Sequence, residues 1–175
     1  MRLDRITSPD HPMYPQAREL YALGFPLHEQ REEDSQRRIM GCSDYQYHLI
    51  YDQELFVGLL LCWETAEFIY VEHFCIQPHL RNQAYGRRAL ELLRSRGKSI
   101  ILEIDPPEDG VSRRRQGFYQ RQGYQTNPFP HVHPPYHSNC PGHRLVVLSC
   151  PTPLSQGEYQ IFDQYLKGVV MADAG

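Results

Sequence analysis

Glu72 is the residue of this sequence best placed for acid–base chemistry. It lies within Phe68–Ile76, a segment of β-branched and aromatic residues in which Glu72 and His73 are the only strongly polar members. Such a segment predicts a central β-strand that is covered on both faces. Strand alternation should place Glu72 on one face with Tyr70 and Phe74. Burial should raise the pKa of the carboxyl group, so we expect Glu72 to act as a general base or, alternatively, to pair with a tyrosine or arginine of a neighbouring strand.

The segment Arg81–Arg87, RNQAYGR, joins this strand to a predicted helix. Residues 85–96 carry apolar side chains with helical spacing, and Gly97 stands where a terminating glycine is expected. The first backbone N–H groups of a helix lack internal partners and carry partial positive charge. A pyrophosphate can accept hydrogen bonds from these groups, with Arg81 and Arg87 adding charge. The sequence therefore predicts an anion-binding turn here, although a plain strand–helix turn is the alternative.

Two segments of the chain match motifs of one protein family, in the family's order. Arg81, Ala84 and Gly86 occupy the first, fourth and sixth positions of the pattern Gln/Arg-x-x-Gly-x-Gly/Ala. Residues 112–124, SRRRQGFYQRQGY, follow a predicted strand, Ser99–Ile104, and match a helix that ends in Phe-Tyr-x-x-x-Gly-Phe/Tyr. Over about residues 68–125 the chain therefore resembles the GNAT superfamily of acetyl-CoA-dependent N-acetyltransferases.

Ala84 departs from the family pattern, which usually has glycine at this position. If the position requires a left-handed backbone, alanine costs about 1–2 kcal/mol. If the backbone there is already right-handed, alanine costs nothing. Both alternatives are compatible with the sequence.

The resemblance implies transfer of an acetyl group from acetyl-CoA to a primary amine by direct attack. An alkyl amine arrives as an ammonium, so a base must remove a proton. Several family members place a base glutamate on the strand of Glu72, and Glu103 on the adjacent strand is the reserve. Tyr119 would face the sulfur of the cofactor as general acid, and backbone N–H groups near Ile76 would hold the carbonyl oxygen. A CoA-binding regulatory domain without catalysis is the alternative function, and the presence of both Glu72 and Tyr119 weighs against it.

The same resemblance implies which residues contact acetyl-CoA. They come from the end of the central strand, the turn after it and the start of the later helix: Phe74, Cys75, Ile76, Arg81, Asn82, Gln83, Ala84, Tyr85, Gly86, Arg87 and Ser112. Cys75 also raises a covalent thioester route, although a half-buried strand cysteine more often serves packing.

Length and composition restrict the class of protein. The 175 residues predict one domain spanning 1–175, and 41% hydrophobic with 22% charged residues is typical of globular proteins. A net charge of −3 gives no reason to expect a nucleic-acid partner. We expect no membrane segment, because no apolar run approaches the ~20 residues that one needs. Five scattered cysteines and an N-terminus without a signal peptide favour a cytoplasmic protein with reduced thiols. We expect the protein to be a monomer or a homodimer.

The order of elements predicts an α/β protein with the GNAT fold. We expect a mixed, mostly antiparallel, splayed sheet of about six to seven strands with helices on both faces. The predicted elements outside the matched segments are strands at Arg2–Ile6, Tyr45–Asp52, Glu54–Glu64 and Arg144–Cys150, and helices at Pro12–Leu23, His28–Met40 and Ser155–Met171. In the last helix, Ile161 and Phe162 are expected to face inward.

A loop rich in proline and histidine spans residues 128–143. This region holds five side chains of types that bind metals, namely His131, His133, His137, Cys140 and His143. Their spacing matches no paired zinc pattern, and four prolines stiffen the backbone between them, so we expect no metal site. We expect instead a solvent-facing loop that lines the acceptor pocket, with Tyr136 as a contact.

Overall fold

The fold is an α/β sandwich whose elements follow the predicted order. The computed structural model describes residues 1–174. The strands are β1 (Arg2–Ile6), β2 (Tyr45–Asp52), β3 (Leu55–Glu64), β4 (Phe68–Ile76), β5 (Ser99–Ile104), β6 (Gln125–Thr126), β7 (Val132–His133), β8 (His143–Arg144) and β9 (Val146–Cys150). The helices are α1 (Tyr14–Gly24), α2 (Glu33–Ile39), α3 (Tyr85–Arg94), α4 (Gly110–Arg121) and α5 (Gln156–Tyr165), with short 3₁₀ turns at Leu27–Glu29 and Pro78–Leu80 and a π-helical turn at Leu166–Val170.

Seven strands form one mixed sheet in the order β1-β2-β3-β4-β5-β9-β6. Neighbouring strands are antiparallel except for β4 and β5, which run parallel. The parallel pairing extends only from Phe68 opposite Ser99 to Val71 opposite Leu102. Beyond this point β4 and β5 separate, so the predicted splayed sheet is confirmed.

Helices cover both faces of the sheet. One face packs against α1, α2 and α5, and the other against α3 and α4. In α3, Ala89 and Leu93 are fully buried, as the helical spacing predicts, and Leu90, which lies outside the predicted stripe, is buried as well. Two helices begin with reciprocal capping boxes, Asp109 with Ser112 in α4 and Ser155 with Glu158 in α5. No helix in residues 1–174 combines the length and the apolar character that crossing a membrane requires.

Two predicted helices differ from the observed ones. The charged helix expected at His28–Met40 is shorter, because the chain is extended around Gln30 and Glu32 before α2 begins. The last helix changes to a π-helical turn after Tyr165. Ile161 is 51% exposed, so the prediction that it faces inward was wrong, whereas Phe162 is fully buried.

A β-bulge interrupts β4 at Glu72. In the pairing with β3, Leu61 lies opposite His73 while Cys62 lies opposite Val71, which leaves Glu72 as the extra residue. The bulge reverses the alternation of the strand. Tyr70 therefore packs on the side of α1 and α5 and Phe74 on the side of α3 and α4, so the expectation that they share a face was wrong.

Candidate active site

The separation of β4 from β5 opens a cleft with a volume of about 1650 Å³. One part is lined by the end of β4, the turn into α3, and α4. The other part is lined by the segment after α1 and by the loop between β7 and β8. The cleft therefore joins the predicted anion-binding turn to a second pocket built from distant segments of the chain.

The turn from Arg81 to Arg87 has an unusual backbone. Asn82 and Ala84 both adopt the left-handed conformation, with φ of 62° and 63°. Ala84 is the N-cap of α3 and makes no side-chain capping bond, so the first N–H groups of the helix have no side-chain acceptor. Of the two alternatives for Ala84, the structure therefore shows the left-handed backbone, which glycine adopts without strain. A Cβ at Gly86 would lie 3.3 Å from Cζ of Phe118, so α3 and α4 approach closely here.

Nine of the eleven residues predicted to contact acetyl-CoA line the cleft. They are Phe74, Cys75, Ile76, Arg81, Asn82, Ala84, Tyr85, Gly86 and Arg87. The remaining two do not line it. The Gln83 amide donates to the His79 carbonyl, and the Ser112 hydroxyl is used in the capping box with Asp109. Burial raises the pKa of the Cys75 thiol to about 12, which disfavours a covalent thioester route.

Tyr119 reaches the cleft from α4. Its ring packs against Phe118 and Tyr124, with centroid distances of 5.1 and 5.5 Å. Burial raises the pKa of its phenol to about 12, and the residue is 9% exposed. Among residues 1–174, the Tyr119 hydroxyl has no hydrogen-bond partner, and it is therefore free to donate to a molecule in the cleft.

Glu72 has a fully buried side chain, and both of its carboxylate oxygens are occupied. Oε1 accepts from Nη2 of Arg31 at 2.8 Å and from the Tyr136 hydroxyl at 3.0 Å, and Oε2 accepts from Nε1 of Trp63 at 2.7 Å. Burial alone raises the pKa of the carboxyl, but Arg31, His73 and the donors outweigh it and lower the pKa to about 2. The expected rise in pKa was therefore wrong, because the partners stabilise the charged form.

Arg31 is a site residue that the sequence did not reveal. It is 2% exposed and also donates from Nη1 to the Ser35 hydroxyl at 3.1 Å and from Nη2 to the Val170 carbonyl at 2.7 Å. Its backbone N–H donates to the Tyr21 hydroxyl at 2.8 Å. The sequence placed Arg31 in a solvated, charged helix, and nothing local distinguishes it from the charged residues around it.

Glu103, the reserve base, lies on β5 at the point where the sheet opens. The Tyr70 hydroxyl donates to its Oε2 at 2.6 Å, Nε2 of His131 makes a short hydrogen bond to its Oε1, and Nε2 of His133 lies 3.9 Å from Oε2. Burial raises the pKa of the carboxyl, but His133, His131 and Tyr70 outweigh it, so the net shift is downward. Glu103 is therefore held as a carboxylate beside two histidines.

The histidine-rich region faces solvent only in part: Pro135, Ser138 and Asn139 are exposed, as expected for the loop, but other side chains turn inward. His131, His133 and Tyr136 are buried, because β7 pairs with β8 and its alternation turns both histidines inward while Val132 points out. The other histidines lie elsewhere: His137 contacts Glu32 and the Leu27 carbonyl, and His143 lies beside Asp105, His28 and Glu29. Tyr136 lines the cleft and also bonds Glu72.

Comparisons with known proteins agree with this geometry. The model of the Acetyltransferase (GNAT) family matches residues 11–124. A solved structure from Bacteroides thetaiotaomicron, described as an acetyltransferase of the GNAT family, is 30% identical and superimposes with a TM-score of 0.92 over 98% of each chain.

More distant proteins are also similar to this chain. An aminoglycoside 6'-N-acetyltransferase solved with coenzyme A is 16% identical, with a TM-score of 0.60 over 89% of this chain and all of that one. The YjbC protein of Bacillus subtilis (strain 168), described as an acetyltransferase, is 25% identical over 58% of this chain, which spans about half of that relative's length (52%). The chain belongs to the GNAT family of acetyltransferases.

Proposed function

We propose that this protein transfers the acetyl group of acetyl-CoA to a primary amine by direct attack of the amine on the thioester. The observation that carries the proposal is the continuous cleft, which connects the N-terminus of α3 to a pocket of buried polar side chains. A pantetheine arm is long and thin, and the opening between β4 and β5 is the place where such a chain can pair with strand backbone. The related aminoglycoside acetyltransferase was solved with coenzyme A, which supports the choice of cosubstrate.

The pyrophosphate of acetyl-CoA fits the turn before α3. The first N–H groups of α3 have no side-chain cap, and the helix dipole adds partial positive charge there. Arg81 and Arg87 line the same part of the cleft. Gly86 keeps the space beside Phe118 open for the phosphates. A Cβ at this position would already lie 3.3 Å from Cζ of Phe118, so a branched side chain would fill this space. We therefore place the phosphates against Arg81–Arg87.

Tyr119 is proposed to assist departure of the CoA thiolate. A phenol with a pKa of about 12 is a weaker acid than a thiol, whose pKa is about 8.5. Full proton transfer to the sulfur is therefore uphill. The free hydroxyl of Tyr119 can instead donate a hydrogen bond to the sulfur as negative charge develops there, and this interaction is favourable.

Glu72 is proposed to position the acceptor pocket and not to remove the proton. Its two oxygens already accept from Arg31, Trp63 and Tyr136, and a carboxylate with a pKa of about 2 is a weak base. Tyr136, which lines the pocket, and the buried Arg31 both donate hydrogen bonds to Glu72 and are held in place by it. The base is therefore to be found elsewhere in the pocket.

The proposed location is the cytoplasm. The five cysteines are unpaired among residues 1–174, and Cys62, Cys75 and Cys150 are buried in the sheet. Free thiols in this arrangement are typical of a reducing compartment.

A thiol-release assay tests the proposal. The purified protein is incubated with acetyl-CoA and a panel of primary amines that includes amino sugars, polyamines, lysine and peptides with free N-termini. We expect amine-dependent release of CoA and a product heavier by one acetyl group in mass spectrometry. Acetyl-CoA binding in calorimetry without release for any amine, in the panel or in a metabolite extract, would instead support a non-catalytic binding domain.

A further inference from the structure

We propose that His133 is the general base of the acetyl transfer, with Nε2 accepting the proton of the amine and Glu103 stabilising the imidazolium that forms. This inference rests on the proposed function. It concerns a residue outside both matched motifs, in the region where the sequence predicted only a pocket-lining loop.

The neutral His133 ring has a defined tautomer. Its Nδ1 lies 2.6 Å from the Pro134 carbonyl oxygen, which can only accept a hydrogen bond. Nδ1 therefore carries the proton, and Nε2 of the neutral ring carries a lone pair. The hairpin of β7 and β8 fixes the ring in this orientation, since His133 pairs with His143 and its side chain is turned inward.

Nε2 of His133 is free to accept a hydrogen bond. This atom is buried, and among residues 1–174 it has no hydrogen-bond partner. Buried polar atoms are nearly always paired, so an unpaired acceptor requires an explanation. His133 is 4% exposed and lines the cleft, so a group bound in the cleft can supply the missing donor. The attacking amine has such a donor on its nitrogen.

The carboxylate of Glu103 lies behind the His133 ring. Oε2 of Glu103 lies 3.9 Å from Nε2 of His133, too far for a hydrogen bond and close enough to favour a positive charge on the ring. The same carboxylate already accepts from Tyr70 and His131. These bonds hold its negative charge in place, so Glu103 stabilises the imidazolium without itself taking the proton.

Other titratable groups lie near this ring. His131 and Tyr70 both bond the Glu103 carboxylate, His73 of β4 is close enough to interact electrostatically with His133, and the Tyr136 ring stands 5.1 Å away, centroid to centroid. Only Glu103 among these neighbours is held as an anion in direct range of Nε2.

His73 is the competing base, because its Nδ1 is also buried without a partner. It is a poorer one for two reasons. Its ring lies between Tyr21 and Phe25, with centroid distances of 4.9 and 4.7 Å, which restricts the approach of an amine. Burial also lowers the pKa of its imidazole, which makes it a weaker base. The ring of His133 has one aromatic neighbour in this range, Tyr136, at a centroid distance of 5.1 Å.

The proposed reaction moves two protons from the acceptor nitrogen, one to solvent and one to His133. The acceptor arrives as an ammonium and first loses one proton to solvent, which exposes the nitrogen lone pair. The nitrogen attacks the thioester carbonyl, and a C–N bond forms while Nε2 of His133 removes a second proton from nitrogen. The C–S bond then breaks, and the thiolate leaves with a hydrogen bond from Tyr119. The imidazolium finally returns its proton to the thiolate through water, giving the amide and free CoA thiol.

The test compares His133→Asn with the wild-type enzyme and with His79→Gln, a change at an exposed histidine outside the cleft. An asparagine amide can still donate to the Pro134 carbonyl but has no basic nitrogen. We expect kcat/KM for the amine to fall about 10²–10³-fold in His133→Asn, as for other general bases. Acetyl-CoA affinity and thermal unfolding should match the wild type, and His79→Gln should stay within twofold.

The pH profile separates the candidate bases. With an imidazole base, wild-type kcat/KM calculated for the unprotonated amine falls as pH drops through the range in which histidines protonate, and His133→Asn loses this limb. Glu103→Gln removes the negative charge beside the ring, so kcat/KM should fall in this variant as well. With Glu72 as base, kcat/KM for the unprotonated amine would show no limb above about pH 4, since the pKa of the Glu72 carboxyl is about 2.

Rescue provides a further readout. His133→Ala leaves a space that free imidazole can enter, and added imidazole should restore at least tenfold of the lost activity. A His133→Asn enzyme with kcat/KM within threefold of wild type and an unchanged pH profile would overturn the inference while leaving the proposed function intact. Loss of the limb in His73→Asn but not in His133→Asn would overturn it in favour of His73. A wild-type enzyme that acetylates no amine would overturn both proposals.

Discussion

The guanidinium of Arg31 and the carboxylate of Glu72 form an ion pair of 2.8 Å between side chains that are completely shielded from solvent. The two residues are 41 positions apart, on the segment before α2 and on the bulge of β4. Breaking a buried pair by neutralising one partner leaves the other charge uncompensated. The pair is therefore both a structural link and a constraint on the acceptor pocket.

Neutralising Glu72 should destabilise the protein. In Glu72→Gln the shape is kept, but Arg31 becomes an unpaired buried cation, so we expect the free energy of unfolding to fall by about 3–5 kcal/mol. Urea denaturation followed by fluorescence measures this change. Glu33→Gln is the matched control, because Glu33 pairs with Arg37 at an exposed position and should lose less than about 1 kcal/mol. Equal stability of Glu72→Gln and the wild type would contradict the assigned pairing.

The same pair predicts the acid limit of stability. The pKa of Glu72 is lowered to about 2 in the folded protein, below its usual value of 4.5. A group with a lowered folded pKa contributes stability that is fully present above the unfolded pKa and is lost as pH falls towards the folded one. We expect the free energy of unfolding to decrease between about pH 4.5 and pH 2. Urea titrations across this range should show the decrease in the wild type and a smaller slope in Glu72→Gln.

Acetyl-CoA binding should depend on Gly86. In Gly86→Val the branched side chain must enter space already taken by Phe118 and the bound phosphates, so we expect calorimetry to detect no binding. Arg81→Ala should weaken binding by about 1–3 kcal/mol if one charged hydrogen bond is lost. Circular dichroism checks that both variants fold. Wild-type affinity in a folded valine variant would rule out this turn as the phosphate site.

Replacing Ala84 with glycine should stabilise the protein. Its φ of 63° is strained for alanine, so Ala84→Gly should raise the free energy of unfolding by up to about 1 kcal/mol after the entropic cost of glycine. Ala22→Gly, at an exposed position within α1, should instead lower it by about 1 kcal/mol. Thermal denaturation of the two variants in parallel distinguishes them. A loss of stability in both would show that the left-handed backbone at Ala84 is not strained.

Tyr119 should act on the rate and not on binding. Tyr119→Phe removes only the hydroxyl, so we expect kcat to fall about 10–10³-fold while the affinity for acetyl-CoA stays near wild type. Tyr124→Phe is the matched control, since the Tyr124 hydroxyl is buried without a partner and its removal should leave kcat unchanged. Steady-state kinetics with a saturating amine measure both. A loss below threefold in Tyr119→Phe would assign Tyr119 to packing.

The local motifs of this protein could be predicted, and the long-range pairings could not. The strand, turn and helix from Phe68 to Arg94 were evident because periodicity and the family pattern are local signals. The bulge at Glu72 and the pairing with Arg31 depend on strand register and on a contact across 41 residues, neither of which a single sequence shows. The spacing His131-Val-His133 did hold a signal, because alternation in a short strand turns both histidines the same way.

The contact from Arg31 to the Val170 carbonyl has a practical consequence for anyone who modifies the chain. The Val170 carbonyl, in the tail after α5, accepts a hydrogen bond from Arg31, whose guanidinium also pairs with Glu72 at the pocket for the amine. Further along the tail, Ser35 and Arg38 bind Asp173. Deleting the residues from Val170 onward would withdraw these acceptors and loosen α2, so a kinetic defect in such a truncation would be indistinguishable from an active-site mutation. Affinity tags and fusion partners on this protein are therefore best joined through a linker that leaves residues up to Asp173 free to dock.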